Sequence, residues 1–173
     1  MSMVTDELRV LETNKFHGKV AEYMAMEDYM SNGYTTIKTG MGSDFLAMTV
    51  DDNGKIREEY VEVKFGMAAR QSRRQKAMER RLKRNGKLYS VYRVSRELAD
   101  DYIRNIGLCR QDGLPEHEPN NKMITMPVVC PHCGKTANMF SQLRDSFGFR
   151  NMGGKTIRVQ SWCKRCRARG AGR

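Results

Sequence analysis

Apolar residues early in the chain recur at helical spacing and then switch to the alternation of strands. Val20, Ala21, Met24, Ala25 and Met30 share one face of a 3.6-residue period within residues 15–31, and Asn32-Gly33 follows as a stop. The β-branched run YTTIK, 34–38, predicts a short strand. Two apolar-rich runs, roughly 44–50 and 57–65, flank the turn-former Asp52-Asn53-Gly54 and predict an antiparallel hairpin. Ser72 opens SRRQ, which has the Ser-x-x-Gln form of a capping box, so a second helix runs from there to Asn85-Gly86. KLYSVYRV predicts a further strand, and Ser95 caps a third helix, RELADDYIRNI, ended by Gly107. Residues 110–122 hold two prolines and no apolar period, as a linker or long loop does. The expected organisation is therefore a domain over 1–109, a linker over 110–122 and a small separate unit over 123–173.

Ionisable residues disturb the hairpin: Asp44, Glu62 and Lys64 sit inside runs that should face an interior. With a three-residue loop and Gly54 left-handed, Asp51 faces Lys55 and Asp44 faces Glu62, and Lys64 shares their side of the sheet. A two-residue Asn-Gly turn would send Asp44 to the other side unless a bulge restored it. Two opposed carboxylates repel unless a positive charge lies between them. Mg²⁺ suits that place, because it takes a couple of carboxylates, keeps several waters and bridges to phosphate. A lysine beside it can orient or deprotonate an attacking water and stabilise charge developing on phosphorus. This set is suited to cutting phosphodiesters. A plainer reading stays open, with Asp44 hydrogen-bonding a turn and Glu62 and Lys64 on a solvated face with Glu58 and Tyr60.

Charge divides the chain. Residues 1–63 carry 6 basic and 12 acidic side chains, whereas 64–173 carry 25 and 8. Clustered positive charge of this kind points to a polyanion, most often nucleic acid. Residues 70–96 alone hold Arg70, Arg73, Arg74, Lys76, Arg80, Arg81, Lys83, Arg84, Lys87, Arg93 and Arg96 against Glu79. Like charges at i, i+4 weaken a helix unless counter-anions such as a phosphate backbone relieve them. No apolar run approaches the roughly 20 residues that cross a bilayer, and the N-terminus lacks a secretion signal. A soluble, cytoplasmic protein with no membrane partner is expected.

Four of five cysteines form two C-x-x-C pairs, Cys130/Cys133 in CPHCG and Cys163/Cys166 in CKRC, separated by 29 residues; Cys109 stands alone as a small, partly buried hydrophobe. Two such knuckles supply the four thiolates of a closed, structural Zn²⁺ site. CPHCG resembles a zinc-ribbon knuckle, TIRVQSW supplies a strand, and His132 is a spectator. A unit of about 50 residues with few apolar side chains needs such a metal to fold. From Arg150 onward there are eight Lys or Arg and no acid. Arg158, Lys164, Arg165 and Arg167 join Arg70, Arg73, Arg74, Lys76, Arg80, Arg81 and Arg84 as candidate nucleic-acid contacts. Trp162, Phe147 and Phe149 either stack on exposed bases or form the module's own core.

Asp44, seventeen residues and then Glu62-Val63-Lys64 resembles the active-site pattern of the PD-(D/E)xK nuclease superfamily. The stretch HGKVAEYMAMEDYMSNGYTTIKTGMGSDFLAM resembles the opening of archaeal-type Holliday junction resolvases and related nucleases. There a helix with an inward glutamate precedes a glycine stop, a strand and the metal-binding aspartate. SRRQKAMERRLKRNGKLYSVYRV is similar to the glutamine-bearing helix and strand that follow; the likeness covers about 15–95. Ser43 stands where the family often shows proline. The resemblance implies an α/β fold with a restriction-endonuclease-like core, a mixed β-sheet flanked by helices, to which the zinc ribbon is appended. It implies that Glu22, Asp44 and Glu62 bind Mg²⁺ or Mn²⁺, the Val63 carbonyl completing the shell. Lys64 then positions water and Gln75 assists, though a capping role already explains Gln75 and an exposed helical position would explain Glu22.

The expected function is metal-dependent DNA endonuclease activity, structure-selective toward Holliday junctions or branched DNA, with restriction or homing-type cutting next. A homodimer acting on DNA in recombination or repair is the expected partner arrangement. The competing class is a non-catalytic zinc-ribbon protein that binds DNA or RNA through a degenerate nuclease-like domain.

Overall fold

The computed structural model describes residues 3–40, 42–106, 123–153 and 156–170, with the side chains of 3–12 excepted. The expected linker, Gly107 and Cys109 lie outside the described residues.

The first helix, α1 (Met3–Ser31), is longer than its apolar period indicated. Residues 3–14 carry good helix formers and no proline or glycine to stop propagation, so the helix extends back to Met3. One expectation is corrected as a result. His17, a polar side chain whose sequence context suggests a surface place ahead of the helix, is inside it and buried. Its ring stacks on Phe65, with centroids 4.9 Å apart, and its Nε2 is 3.0 Å from Asp100 Oδ1.

Three strands follow as an antiparallel meander: β1 (Thr35–Lys38), β2 (Phe45–Val50) and β3 (Ile56–Phe65). Helix α2 (Arg73–Arg84) crosses over to β4 (Leu88–Val94), which runs parallel to β3, and α3 (Arg96–Asn105) ends this half. The sheet is mixed, in the order β1-β2-β3-β4. Ser72 and Gln75 form the complete capping box at α2, and the Ser95 side chain accepts the Leu98 N–H at α3.

Each face of the sheet is covered. Val61 and Val63 of β3, with Phe45 and Ala47 of β2, pack under Val20, Ala21, Ala25 and Met26 of α1 and Ala99 of α3. The small Ala21 and Ala25 let the helix backbone approach the strands. The opposite face carries Ile37, Leu46, Met48, Tyr60 and Tyr89, and α2 covers part of it with Leu82 and Met78.

The remainder of that face is covered by the cysteine-bearing segment. It consists of two short hairpins, β5 (Val128–Val129) with β6 (Thr136–Ala137) and β7 (Phe149–Asn151) with β8 (Ile157–Val159). Between them lies α4 (Phe140–Ser146), and α5 (Lys164–Gly170) closes the segment. Phe140, Leu143, Phe147 and Ile157 join the same apolar cluster as Leu46 and Tyr60. Arg144 donates to Glu58 Oε2 at 2.7 Å and to Tyr60 Oη, and Ile124 N–H donates to Thr36 O at the β1 edge. The segment is docked on the sheet.

The β1–β2 loop passes close to α2. Gly42 adopts φ +75°, and a Cβ there would lie 2.5 Å from Met78 Cε and 2.8 Å from its Cγ. Gly40, at φ +65°, faces open space. Gly40→Ala therefore costs only the left-handed backbone strain, about 1–2 kcal/mol, while Gly42→Ala also displaces Met78 and costs more. Denaturant unfolding of the two variants measures the difference; equal losses would show that Met78 yields freely.

Candidate active site and metal centre

The turn decides where the charges go. Asp51 N–H donates to Lys55 O at 2.9 Å, Gly54 sits at φ +76°, and Val50 pairs with Ile56, which is the three-residue-loop register. Glu62 accordingly shares a face with Tyr60 and Lys64. Asp44 lies one residue before β2, and its N–H donates to Val61 O at 2.9 Å. Its carboxylate turns toward β3, where Oδ2 accepts the Val63 N–H at 2.6 Å. Glu22 comes from α1, one position beyond buried Ala21 and so turned by about 100° toward the helix flank.

These three acids line one pocket of about 400 Å³ together with Lys38, Arg74 and Gln75. Glu62 is only 3% exposed. Its Oε1 accepts Lys64 Nζ at 2.8 Å and also Gln75 Nε2. Gln75 Oε1 accepts both Lys64 Nζ, at 3.0 Å, and the Ser72 N–H, at 2.7 Å. The residue that caps α2 is thus the residue that braces the carboxylate and the ammonium, and the two readings of Gln75 are compatible. The face is not the solvated one that the plainer reading required: Tyr60 is buried and Glu58 is held by Arg144 and Lys87.

Burial pushes all three carboxyls above their ordinary range. For Glu22 the next cause is the Asp44 charge. For Asp44, burial outweighs the Val63 N–H and the nearby ammonium groups of Lys64 and Lys38. For Glu62, burial is partly offset by the Lys64 hydrogen bond, and Asp44 and Glu22 then add repulsion. Burial lifts all three, Asp44 adds to Glu22, and Asp44 and Glu22 add to Glu62; an all-oxygen set of this kind is the donor chemistry that a hard divalent ion takes. Among the described residues, Glu22, Oδ1 of Asp44 and Oε2 of Glu62 have no hydrogen-bond partner. The acid oxygens are nevertheless not drawn to mutual ligand distance, as those of the cysteine cluster are. Val63 presents its N–H to Asp44.

Lys38 was not anticipated. It is the last residue of β1, exposed, and its charge acts on both Glu22 and Asp44. The signal was its place at the strand end six residues before the aspartate.

The cysteines form a second centre. The ligand atoms of Cys130, Cys133, Cys163 and Cys166 all lie within 4.8 Å of one another and could hold a metal ion such as zinc. Cys133 Sγ and Cys163 Sγ are 3.6 Å apart, close to the ~3.8 Å edge of a tetrahedron with ~2.3 Å Zn–S bonds. The Cys163 N–H, 3.4 Å from Cys130 Sγ, leads the causes that hold the Cys130 thiol below its usual range. Burial and the neighbouring sulfurs push Cys166 up. His132 Nδ1 lies 3.5 Å from Cys166 Sγ, and its ring packs against Trp162.

Around these centres, Arg70, Arg73, Arg74, Lys76, Arg80, Arg81 and Arg84 are all exposed. Arg73 and Arg74 occupy the first turn of α2, where the helix dipole disfavours cations. Arg158 and Arg165 are exposed too, whereas Lys164 is tied to Arg144 O and Arg167 to the carbonyls of Trp162 and Phe147. Among the described residues no helix is long and apolar enough to cross a membrane. No family model, curated protein or solved structure matches the chain.

The raised carboxyl pKa values carry a sign. The folded state favours protonated acids, so their contribution improves as pH falls from above their folded pKa values toward the ordinary carboxylate range. Glu22→Gln removes one charge without losing a hydrogen bond. Without added Mg²⁺ at pH 8 it should stabilise the chain by about 0.5–2 kcal/mol, and the gain should shrink toward pH 4. Thermal melts of both proteins across that range measure it; a variant less stable than wild type at pH 8 would contradict the repulsion.

Proposed function

We propose that the chain is a metal-dependent endonuclease acting on DNA, with a PD-(D/E)xK-type centre and a structural zinc module. The observation that carries this reading is the convergence of Glu22, Asp44 and Glu62, braced by Lys64 and Gln75, in one pocket beside an exposed basic helix. The order helix, three strands, helix, strand supports it too, since that is the order the resemblance implies.

Glu22, Asp44 and Glu62 would hold Mg²⁺ or Mn²⁺. When bound, the cation supplies Lewis acidity toward a phosphate and an attacking water. The protein residues do the remaining work. Lys64 spends two of its three N–H donors on Glu62 and Gln75 and keeps a third to aim at water or a phosphoryl oxygen. Gln75 fixes that ammonium relative to α2, so the catalytic group and the phosphate-facing helix move as one. Arg74 and Lys38 place positive charge at the pocket wall, where a phosphate would enter. Branched DNA is the preferred substrate class within this reading.

A non-catalytic, zinc-bearing nucleic-acid binder is the second reading. The separation of the acid oxygens favours it.

Plasmid and branched DNA incubated with Mg²⁺ or Mn²⁺ separate the two. Wild type should cut, and Asp44→Ala should lose at least about 10²-fold in rate while still binding. Binding without cutting by wild type under both metals would leave the second reading. Cys163→Ser tests the zinc module. Because the cysteine segment shares a core with the sheet, the substitution should lower amide-exchange protection in β2 and β3. Unchanged protection there would mean that the segment folds and unfolds apart from the sheet.

A further inference from the structure

Trp162 is the single tryptophan of the chain, and it is 40% exposed. The other aromatics of the module are accounted for. Phe147 is fully buried, and Phe149 packs against the same core. Burial closes base stacking, one of the two options left open by the sequence, for Phe147, and Phe149 is half-buried against the core. Trp162 differs because its ring is held in place while part of its surface stays open. On one side its centroid is 5.1 Å from that of His132, at a tilt of 46°. On another, a Cβ at Gly170 would lie 3.4 Å from the ring, so the end of α5 abuts it. Its own carbonyl accepts the Arg167 guanidinium, which also donates to Phe147 O at 2.8 Å and so fixes the knuckle to the core.

The surroundings select the occupant. No acid occurs from Ser146 to the end of the chain, and Asp145 is the lone acid between 123 and 170. Arg158, Lys164, Arg165 and Arg169 are exposed around the knuckle's elements. Apolar or acidic peptide partners would meet either the ring or the charges. A nucleic-acid strand meets both, with a base on the ring and phosphates on the guanidinium groups. The base has to be unpaired, because the faces of bases inside a duplex are already covered by their neighbours.

We infer that Trp162, backed by His132 and abutted by the end of α5, the helix that carries the exposed Arg165 and Arg169, is a stacking platform for an unpaired nucleotide, so that the cysteine module selects nucleic acid with single-stranded character. The inference rests on the nucleic-acid-binding half of the proposed function and not on cleavage. It places the reader of strand structure on the same sheet face as the carboxylate pocket, since Leu46 and Tyr60 of that face pack against the module.

The lone tryptophan makes the test direct. Full-length Asp44→Ala protein, without added Mg²⁺, is titrated at fixed salt with oligo(dT), with a blunt duplex and with inorganic polyphosphate while tryptophan emission is followed. Stacking predicts quenching by oligo(dT) and little by the other two at equal occupancy. In labelled-oligonucleotide anisotropy, Trp162→Ala should bind oligo(dT) about 5- to 100-fold more weakly, keep its duplex affinity, and be rescued by Trp162→Phe. Equal quenching by all three probes, an alanine variant that weakens all or none of them, or no rescue by phenylalanine overturns the platform. A protein that stacks oligo(dT) yet never cuts keeps the platform and loses the nuclease reading; one that cuts without stacking does the reverse.

Discussion

Everything about the pocket depends on the number of residues in one turn. The loop of Asp52, Asn53 and Gly54 sets Val50 against Ile56, and each pairing toward the open end follows from that step. Because side chains alternate, a slip of one residue would drive Glu62 and Lys64 into the apolar layer under α1 and bring Val61 and Val63 out against α2. Both cores would be lost together. Burial of Val61, at 0% exposure, therefore enforces the register that presents Glu62 to the opposite side. The hydrophobic cost of error holds a hydrophilic constellation in place.

Gln75 extends that constraint from the sheet to the helix. A capping box ordinarily satisfies helix-end donors and nothing more. Here the same amide also accepts from Lys64 and donates to Glu62, so the start of α2 is registered against β3 by hydrogen bonds as well as by Leu82 and Met78. The arrangement gathers costs that a purely structural protein would avoid: three acids lifted by burial, and two guanidinium groups at the positive end of a helix. Each charge is unfavourable where it stands, and the acids and cations would each be relieved by a ligand of opposite sign. A cation in the pocket and a polyanion along α2 would relieve both.

Much of this was legible in the sequence because the informative signals were local. Ser72 and Ser95 announced their helices, Asn53-Gly54 announced the hairpin, and the two C-x-x-C pairs announced their cluster. The side of the sheet taken by Glu62 and Lys64 followed from counting the loop, whereas Asp44, expected opposite Glu62, lies beyond the ladder's last pair and bonds Val61 O and the Val63 N–H instead. What escaped notice was tertiary. His17 reads as polar, and only the docking of α3 supplies Asp100 to receive it. Helix α4 had a signal in Phe140, Leu143 and Phe147, spaced i, i+3, i+7, but seven residues between cysteines read more readily as ribbon. Lys38 belongs to the pocket through the path of the β1–β2 loop, which no pattern of apolar residues records. The packing of the cysteine segment on the sheet was also invisible, because the residues that bury the interface are ordinary core residues in each half.

That packing changes what a structural metal means for this chain. A four-stranded sheet has two faces to cover, and one helix, α2, cannot cover the face opposite α1. The cysteine segment supplies the missing layer, and its own few apolar side chains are too sparse to fold unaided. Arg144 shows how the two halves are tied: it rests on the Tyr60 and Phe140 rings and joins Lys87 in bonding Glu58, on the strand that carries Glu62. A metal held by the cysteines would therefore stabilise the sheet as well as the segment. If the thiolate cluster sets the position of α4, and α4 sets the lower half of β3, then the carboxylate pocket at the upper half inherits its rigidity from a metal that never touches it.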